Sequence, residues 1–330
     1  KHGSRVNMGE KEQEVEIIRL LKAGPGYTSG QLLSESLGVS RTAVWKHVTA
    51  LRKMGYSIEA SPSKGYRLLE ARPFNTVELQ TLMAGRAFGR EVHFFDSVES
   101  TNAKAFELAR SGAPEGAVVI AEAQTKGKGR IGRKWESPAG TNLYISIILR
   151  PKVAPHGAAG LTFVAAVAVA EAVSISGVKP AVKWPNDILI DGRKTAGILL
   201  EMDSEPDRVN FVIAGVGVNL NMKKESFPEN IRETATSLIE ETGSPVDRAA
   251  FTASLLSSIE RWYGVYLNEG FAPVLEAWKG FFRSAGKPVR VTFFDRVIEG
   301  VCKGVDSTGA LLLERGGAIE RVISGDVEAL

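Results

Sequence analysis

The run Gln124-Thr125-Lys126-Gly127-Lys128-Gly129-Arg130-Ile131-Gly132-Arg133-Lys134-Trp135 limits the folds open to this chain more than any other segment. It sets three glycines and five cations between two apolar, β-branched runs, 118–121 and 143–149. So polar a stretch cannot be core, and its flanks read as strands, so it is a loop between strands. Gly127, Gly129 and Gly132 match G-x-G-x-x-G letter for letter. A dinucleotide fold needs a helix after the last glycine, however, and no helix-forming pattern follows. Arg133 stands where a Walker loop needs lysine, which removes that reading too. Two readings remain. Either the glycines give mobility and the cations attract phosphate, or the loop is a solvated basic surface touching DNA.

The first seventy residues have a different pattern. Val15, Ile17, Ile18, Leu20 and Leu21 mark an amphipathic helix stopped at Ala23-Gly24-Pro25-Gly26. A short helix with Leu32, Leu33 and Leu37 follows, and Gly38 suits a tight helix–helix turn. Ser40 can cap a third helix whose inner face carries Val44, Val48 and Leu51. Arg41, Thr42, Trp45, Lys46 and Thr49 fall mainly on its other side, the layout of a helix that reads base edges and phosphates. Two short strands around Ser61-Pro62-Ser63-Lys64-Gly65 then form a basic wing. Ser40, Arg41, Thr42, Trp45, Lys46 and Lys64 are the candidate DNA contacts. A helical dimerisation module is the blander alternative, Trp45 could equally pack in a core, and His47 decides nothing. Glu70-Ala71-Arg72-Pro73 reads as a linker.

From about residue 76 to 282, helical and strand-like patterns alternate, an α+β or mixed α/β core. Ser100-Thr101-Asn102 precedes a helical stretch and serves either as an N-cap or as donors and acceptors for a polar ligand head. Residues 188–190 and 195–201 read as a hairpin closed near Asp191-Gly192, with Lys194 just past the turn. A turn lysine is ordinarily just solvated. Gly197 interrupts an apolar strand, and Gly215 and Gly217 interrupt another, either for packing or for close approach by a ligand or backbone. The aromatic stripes Phe251, Leu255, Ile259, Trp262, Tyr266 and Val274, Leu275, Trp278, Phe282 read as core. Short strands at 287–293, 297–305, 310–314 and 319–323, divided by glycine and aspartate turns, suggest a small barrel.

Composition bounds the rest. Hydrophobic residues are 44% and charged residues 24% of 330, as in globular proteins, and a net charge of +3 leaves any DNA surface to local clustering. Cys302 is the single cysteine, so no internal disulfide and no cysteine pair for zinc exist, which fits a reducing cytoplasm. The apolar stretch 161–173 falls short of the roughly 20 residues of a membrane span. Residues 1–7, ahead of Met8, read as an expression scar outside the fold.

Together, Glu99-Ser100-Thr101-Asn102, Gly127-Lys128-Gly129-Arg130-Ile131-Gly132-Arg133-Lys134-Trp135, Lys183-Trp184-Pro185-Asn186-Asp187 and Arg193-Lys194-Thr195-Ala196-Gly197 resemble the bifunctional biotin–protein ligases that double as biotin operon repressors, the BirA type. The resemblance runs from Met8 to Leu330. It implies a winged helix-turn-helix domain at 8–72, a class II synthetase-like mixed α/β catalytic domain at 73–283 and an SH3-like small β-barrel at 284–330. It implies an ATP- and Mg2+-dependent ligase of the biotin–[acetyl-CoA-carboxylase] class that forms biotinyl-5′-AMP and passes biotin to a carrier-protein lysine. The adenylate would also be the corepressor of a DNA-bound homodimer.

The resemblance makes Ser100, Thr101, Asn102 and Gln124 biotin contacts, and Gly127, Lys128, Gly129 and Arg130 the loop that closes over the adenylate. Lys194 would meet the reacting carboxylate and phosphate. Trp135, Lys183, Asn186, Gly197, Gly215 and Asn219 complete the expected binding set, and Asp187 is the candidate to assist the acceptor lysine. No resident metal site is expected. Two positions depart from the family pattern: Lys128 replaces an arginine and loses its bidentate fork, and Ala235 stands near where a tryptophan packs on adenine. A lipoate-type acyltransferase, a ligand-sensing repressor without ligase activity and a DNA-modifying enzyme are the rival readings. Arg130 and Lys194 argue against a dead enzyme, the head and barrel against the lipoate reading, and the lack of a nucleophile or metal constellation against DNA chemistry.

Overall fold

The structure, a computed structural model, describes residues 9–24, 26–69, 74–293 and 296–330. Residues 1–8, Pro25, the whole of the expected linker (70–73) and residues 294–295 lie outside the described residues.

Three helices, α1 (Glu10–Lys22), α2 (Gly30–Leu37) and α3 (Arg41–Lys53), precede an antiparallel pair, β1 (Ile58–Ser61) and β2 (Gly65–Leu68). The apolar periodicity does the folding: Ile17, Ile18, Leu21, Leu33, Leu37, Val44, Val48 and Leu51 make one small buried core with Tyr56 and Ile58. Gly38 ends α2 in the left-handed region, and the Ser40 hydroxyl accepts from the Ala43 N–H to start α3. Gly65, also left-handed, lets the wing touch the α1–α2 loop, since a Cβ there would stand 2.2 Å from the Thr28 carbonyl.

The helix α4 (Thr76–Leu82) leads into the central domain. Its strands are β3 (Val92–Val98), β4 (Val118–Gln124), β5 (Leu143–Leu149), β6 (Pro180–Lys183), β7 (Asp187–Ile190), β8 (Arg193–Ser204) and β9 (Val209–Val218). They form one sheet in the order β3-β4-β5-β9-β8-β7-β6, parallel at β3/β4 and antiparallel elsewhere. The helices α5 (Thr101–Arg110), α6 (Gly160–Ile175), α7 (Leu238–Thr242), α8 (Arg248–Glu269) and α9 (Phe271–Phe281) complete it. Strand alternation sorts the two faces. Leu143, Ile145, Ile147 and Leu149 of β5 enter the large core under α6, α8 and α9, while Ile148 joins a smaller cluster under α5. Ser146 falls on the α5 face, where the sheet turns polar.

The segment Pro155–Ile175 is long and apolar enough to span a bilayer by length and composition, but it includes α6, whose apolar side chains lie in that large core. The aromatic stripes of α8 and α9 are core as expected, with Trp262 only half-buried. At the C-terminus β10 (Pro288–Phe293), β11 (Arg296–Val305), β12 (Leu311–Arg315), β13 (Ala318–Val322) and β14 (Asp326–Ala329) make a five-stranded antiparallel sheet, order β13-β12-β11-β10-β14. The strand reading had not included β14, which is short and polar.

Candidate functional site

Three glycines expected to make room do so for this chain's own side chains. A Cβ at Gly215 would lie 2.0 Å from the Asn102 amide oxygen, and one at Gly217 would lie 2.5 Å from the Trp135 ring. At Gly197 the nearest groups are the same indole and the end of the Lys194 side chain. Asn102 and Trp135 are therefore wedged onto the polar face of the sheet, and beside them opens a cavity of about 830 Å3. Lining it are Ser100, Thr101, Asn102, Gln124, Lys128, Gly129, Arg130, Trp135, Lys183, Asn186, Asp187, Lys194, Gly197, Gly215 and Asn219. Of the expected ligand set only Gly127 is absent. It is buried against the Trp135 carbonyl and lines a second, outer groove of about 1360 Å3.

One end of the cavity is neutral and tightly bonded. Ser100 caps α5, its hydroxyl facing the Ala103 N–H at 3.5 Å. Thr101 donates its N–H and hydroxyl to Gln124 Oε1 at 2.8 and 3.1 Å, and Gln124 Nε2 donates to the Ser137 hydroxyl at 2.9 Å. The buried Ser146 hydroxyl lies 2.8 Å from Thr101 Oγ1 and 2.6 Å from Asn102 Oδ1. Asn102 Nδ2 donates to the Leu199 carbonyl and to Glu201, at 3.2 and 2.7 Å. Asn219 is held farther off by the Thr236 carbonyl at 3.0 Å.

The other end is charged. Lys194 Nζ meets Asp187 Oδ1 at 2.7 Å and sits 5.4 Å from the centre of the Trp135 ring. A bulge sets this up: Leu189 pairs Lys194 and Ile188 pairs Ala196, so Thr195 is an extra residue in β8. In a regular strand Lys194 and Gly197 would face opposite ways, and the extra residue turns Lys194 to the side of Gly197 and its partner Asp187. The hairpin is closed by Asp191 and Gly192, both at positive φ, as a two-residue type I′ turn requires.

Arg130 Nη1 donates to Asn186 Oδ1 at 3.0 Å, and Asn186 is fixed by the Ile198 carbonyl. Burial lowers the pKa of Arg130 from the ordinary arginine value, opposed by Asp187 and Asp326. Arg133 and Lys183 both reach Asp326 on β14, at 2.5 and 3.4 Å. Burial acts to raise the Asp326 carboxyl, but these two cations outweigh it and hold the group below its usual range. The glycine loop itself is a small hairpin, with Lys128 bridged to Lys134 and exposed Ile131 at its tip in the left-handed region.

Ser137, Ser146, Glu201 and Asp326 belong to this site, and the sequence reading did not single them out. Ser146 had a signal: it is the polar residue in an otherwise apolar strand. Ala235, the non-aromatic position, lies beside Lys194 in a short parallel bridge and joins Met222, Phe227 and Ile231 in an apolar cluster on the cavity wall. On the head, Ser40, Arg41, Thr42, Trp45, Lys46 and Lys64 are all exposed, and Trp45, at 55%, is not a core residue.

Comparison with known proteins accounts for each part. Residues 94–219 match the Biotin/lipoate A/B protein ligase family, 14–67 an HTH domain, and 285–329 the Biotin protein ligase C terminal domain. The chain is 40% identical over 317 residues to the Bifunctional ligase/repressor BirA of Bacillus spizizenii, covering 95% of this chain and 97% of that protein. To the Escherichia coli protein of the same name it is 34% identical over 322 residues, 97% of this chain and 98% of that one. Among solved structures it resembles the biotin protein ligase from Aquifex aeolicus in complex with biotin and ATP, with a TM-score of 0.64 and 28% identity, over 72% of this chain and 98% of that one. With head, catalytic sheet and C-terminal sheet all matched along nearly the whole length, the chain belongs to the family of bifunctional biotin–protein ligases and repressors.

Proposed function

We propose that the 830 Å3 cavity joins biotin to the α-phosphate of ATP, with the vitamin's uncharged ring system at the neutral end and its carboxylate at the charged end. The observation that carries this is that Arg130, from the glycine loop, and Lys194, from the bulged strand, are held by the adjacent residues Asn186 and Asp187, while the described side chains bonded at the other end, Ser100, Thr101, Asn102 and Gln124, are uncharged. Biotin's carboxylate oxygen attacks the α-phosphorus, an O–P bond forms, the α–β bridge breaks and pyrophosphate leaves. Both reactants are anions, so cations fixed where charge builds lower the barrier. Among the described residues no three His, Cys, Asp or Glu side chains cluster to hold a metal. Asp187 and Asp326 are already ion-paired. That donor set suits magnesium arriving on the triphosphate as part of the substrate, keeping phosphate and water oxygens as ligands.

The product, biotinyl-5′-AMP, is a mixed anhydride that water destroys, and the glycine loop serves to cover it. In the second step the ε-amine of a lysine on a biotin carboxyl carrier protein attacks the biotinyl carbonyl carbon. The C–O bond to phosphate breaks, AMP leaves, and the amine must shed a proton. Asp187 is the carboxylate positioned to assist, its charge held in the cavity by Lys194. ATP-dependent labelling of a carrier domain tests the reading: biotin should be incorporated and lipoate should not, and the reverse would sink it.

For repression, the exposed face of α3 and the basic wing would read operator DNA. One head makes few phosphate contacts, so tight binding requires two on a palindrome. Biotinyl-5′-AMP, by ordering the glycine loop, would promote homodimerisation through the central sheets, and the carrier protein would compete for the same surface. Sedimentation with and without biotin plus ATP tests the switch, and an unchanged association state would remove it.

A further inference from the structure

The seam between the head and the catalytic core is closed by a carboxylate that neither activity uses. Glu78 has no solvent exposure. It lies in the first turn of α4, where the Asn75 side chain accepts its N–H at 2.9 Å. Both of its oxygens are spent on the head. Oε1 meets Lys22 Nζ, at the end of α1, at 2.5 Å, and Oε2 accepts from the hydroxyl of buried Tyr56 at 3.1 Å. Asn75 adds a third link, its Nδ2 donating to the Met54 carbonyl at 3.1 Å. The apolar side chains of the same helical segment divide between two cores: Val77 packs in the head, Leu79 and Met83 in the catalytic domain. α4 touches both α1 and α8, so it is rooted on either side of the seam.

Apolar contact alone would let the two bodies slide and turn, because hydrophobic attraction has no direction. A carboxylate removed from water does not tolerate that. Each oxygen keeps its partner or leaves a charge stranded in a low-dielectric setting. We propose that Glu78 is a positioning residue for the DNA-reading head, fixing its orientation on the catalytic core through Lys22 and Tyr56. The lock stands on this geometry; its consequence for DNA rests on the dimeric-repressor reading above. A second head strengthens binding only when both can engage at once. With the lock removed, each head keeps its own contacts, but the separation of the two α3 helices is no longer set.

The test uses the full chain with spin labels at Glu35→Cys on α2 and Glu107→Cys on α5, in parent, Glu78→Gln and Tyr56→Phe backgrounds. The DNA probes are a palindromic duplex selected in vitro on the parent protein and the same duplex cut to one half. The parent should give one narrow interlabel distance and Glu78→Gln a broadened one, with Tyr56→Phe, which loses a single bond, between them. Carrier biotinylation and half-site binding should stay within about twofold, while palindrome binding with biotin and ATP should weaken about tenfold. An unchanged distance distribution in Glu78→Gln overturns the lock. Loss of half-site binding in both variants overturns it too, since Glu78 would then hold the head's fold rather than its orientation. If the distances broaden but the parent never prefers the palindrome, the lock stands and the dimeric-repressor reading falls.

Discussion

The two ends of the proposed catalytic cavity are built on opposite principles. At the neutral end, Thr101, Gln124, Ser137, Ser146 and Asn102 are joined by hydrogen bonds between uncharged groups, with Glu201 accepting from the Asn102 amide behind them. At the other, Lys194–Asp187 and the Arg133–Asp326–Lys183 cluster set three cations against two carboxylates, an excess of positive charge suited to an anion. The first arrangement suits selection by shape and hydrogen-bond pattern. The second is worth most when charge develops in the transition state. Substitutions at the two ends should therefore separate cleanly in kinetics: binding at one, rate at the other.

The largest effect belongs to the charged end. Lys194→Ala should slow adenylate formation, read by pyrophosphate exchange, by about 10²–10³-fold, the loss expected when one preorganised charge donor is removed. The biotin KM should move little. If KM rose and kcat held, Lys194 would be a binding residue and the division between the ends would be wrong.

Next comes a stability effect at the neutral end. Gly215→Ala drives a methyl group into the Asn102 amide, which cannot swing away because Leu199, Glu201 and Ser146 all hold it. Overpacking of this kind costs about 1–3 kcal/mol. Urea unfolding should show that loss, and biotin affinity should fall with it. Asn102→Ala in the same chain removes the clash, so the double variant should lose less than the sum of the two singles. Simple additivity would mean that the wedge is not what Gly215 is for.

A smaller effect is expected from Gln124→Ala, which strands the Thr101 N–H and removes a donor to the Ser137 hydroxyl, itself still bonded to the Trp135 carbonyl. Biotin KM should rise about tenfold, roughly one hydrogen bond's worth, with kcat nearly unchanged. A fall in kcat with KM constant would place Gln124 at the charged end instead.

Much of this plan is local and was therefore legible. The head follows from helical periodicity, Gly38 and the Ser40 cap, all readable within a few residues. The β7–β8 hairpin follows from Asp191-Gly192, because a turn with two positive φ angles accepts few residue pairs. The cavity was legible only as a set of names. That Gly215 exists for Asn102 and Gly217 for Trp135 depends on which strands become neighbours, which periodicity does not encode. The bulge at Thr195 is equally silent, yet it decides where the Lys194 ammonium points. Asp326 was missed because its partners sit in another domain, and a short polar strand near the chain's end carries no apolar signal.

The smallest expected effect uses pH to weaken one end and spare the other. Asp326 titrates below the usual carboxylate range because Lys183 and Arg133 outweigh its burial. On the same C-terminal sheet, burial would raise Asp306, but the Thr308 hydroxyl and N–H, Arg321 and the Ala310 N–H hold it down to about 2. A carboxyl whose pKa is lower folded than unfolded stabilises the fold fully above the unfolded pKa, near 3.9. That contribution is lost as pH falls through the folded value. The unfolding free energy should therefore decline as the solution is taken from about pH 4 toward pH 2, and the ordering of the glycine loop, tied to Asp326 through Arg133, should decline with it. Both carboxylates pair with exposed arginines, Arg321 and Arg133, where solvent screens the interaction, so the change is modest. Asp326→Asn should flatten the loop's acid response, followed as proteolytic cutting between Gly127 and Lys134 with an acid-active protease. Gln124→Ala should leave that response as steep as in the parent, because Gln124 and the groups it bonds, Thr101 and Ser137, do not titrate in this range. Were the two variants to flatten it equally, the ends would be one electrostatic unit and the contrast between them would fail.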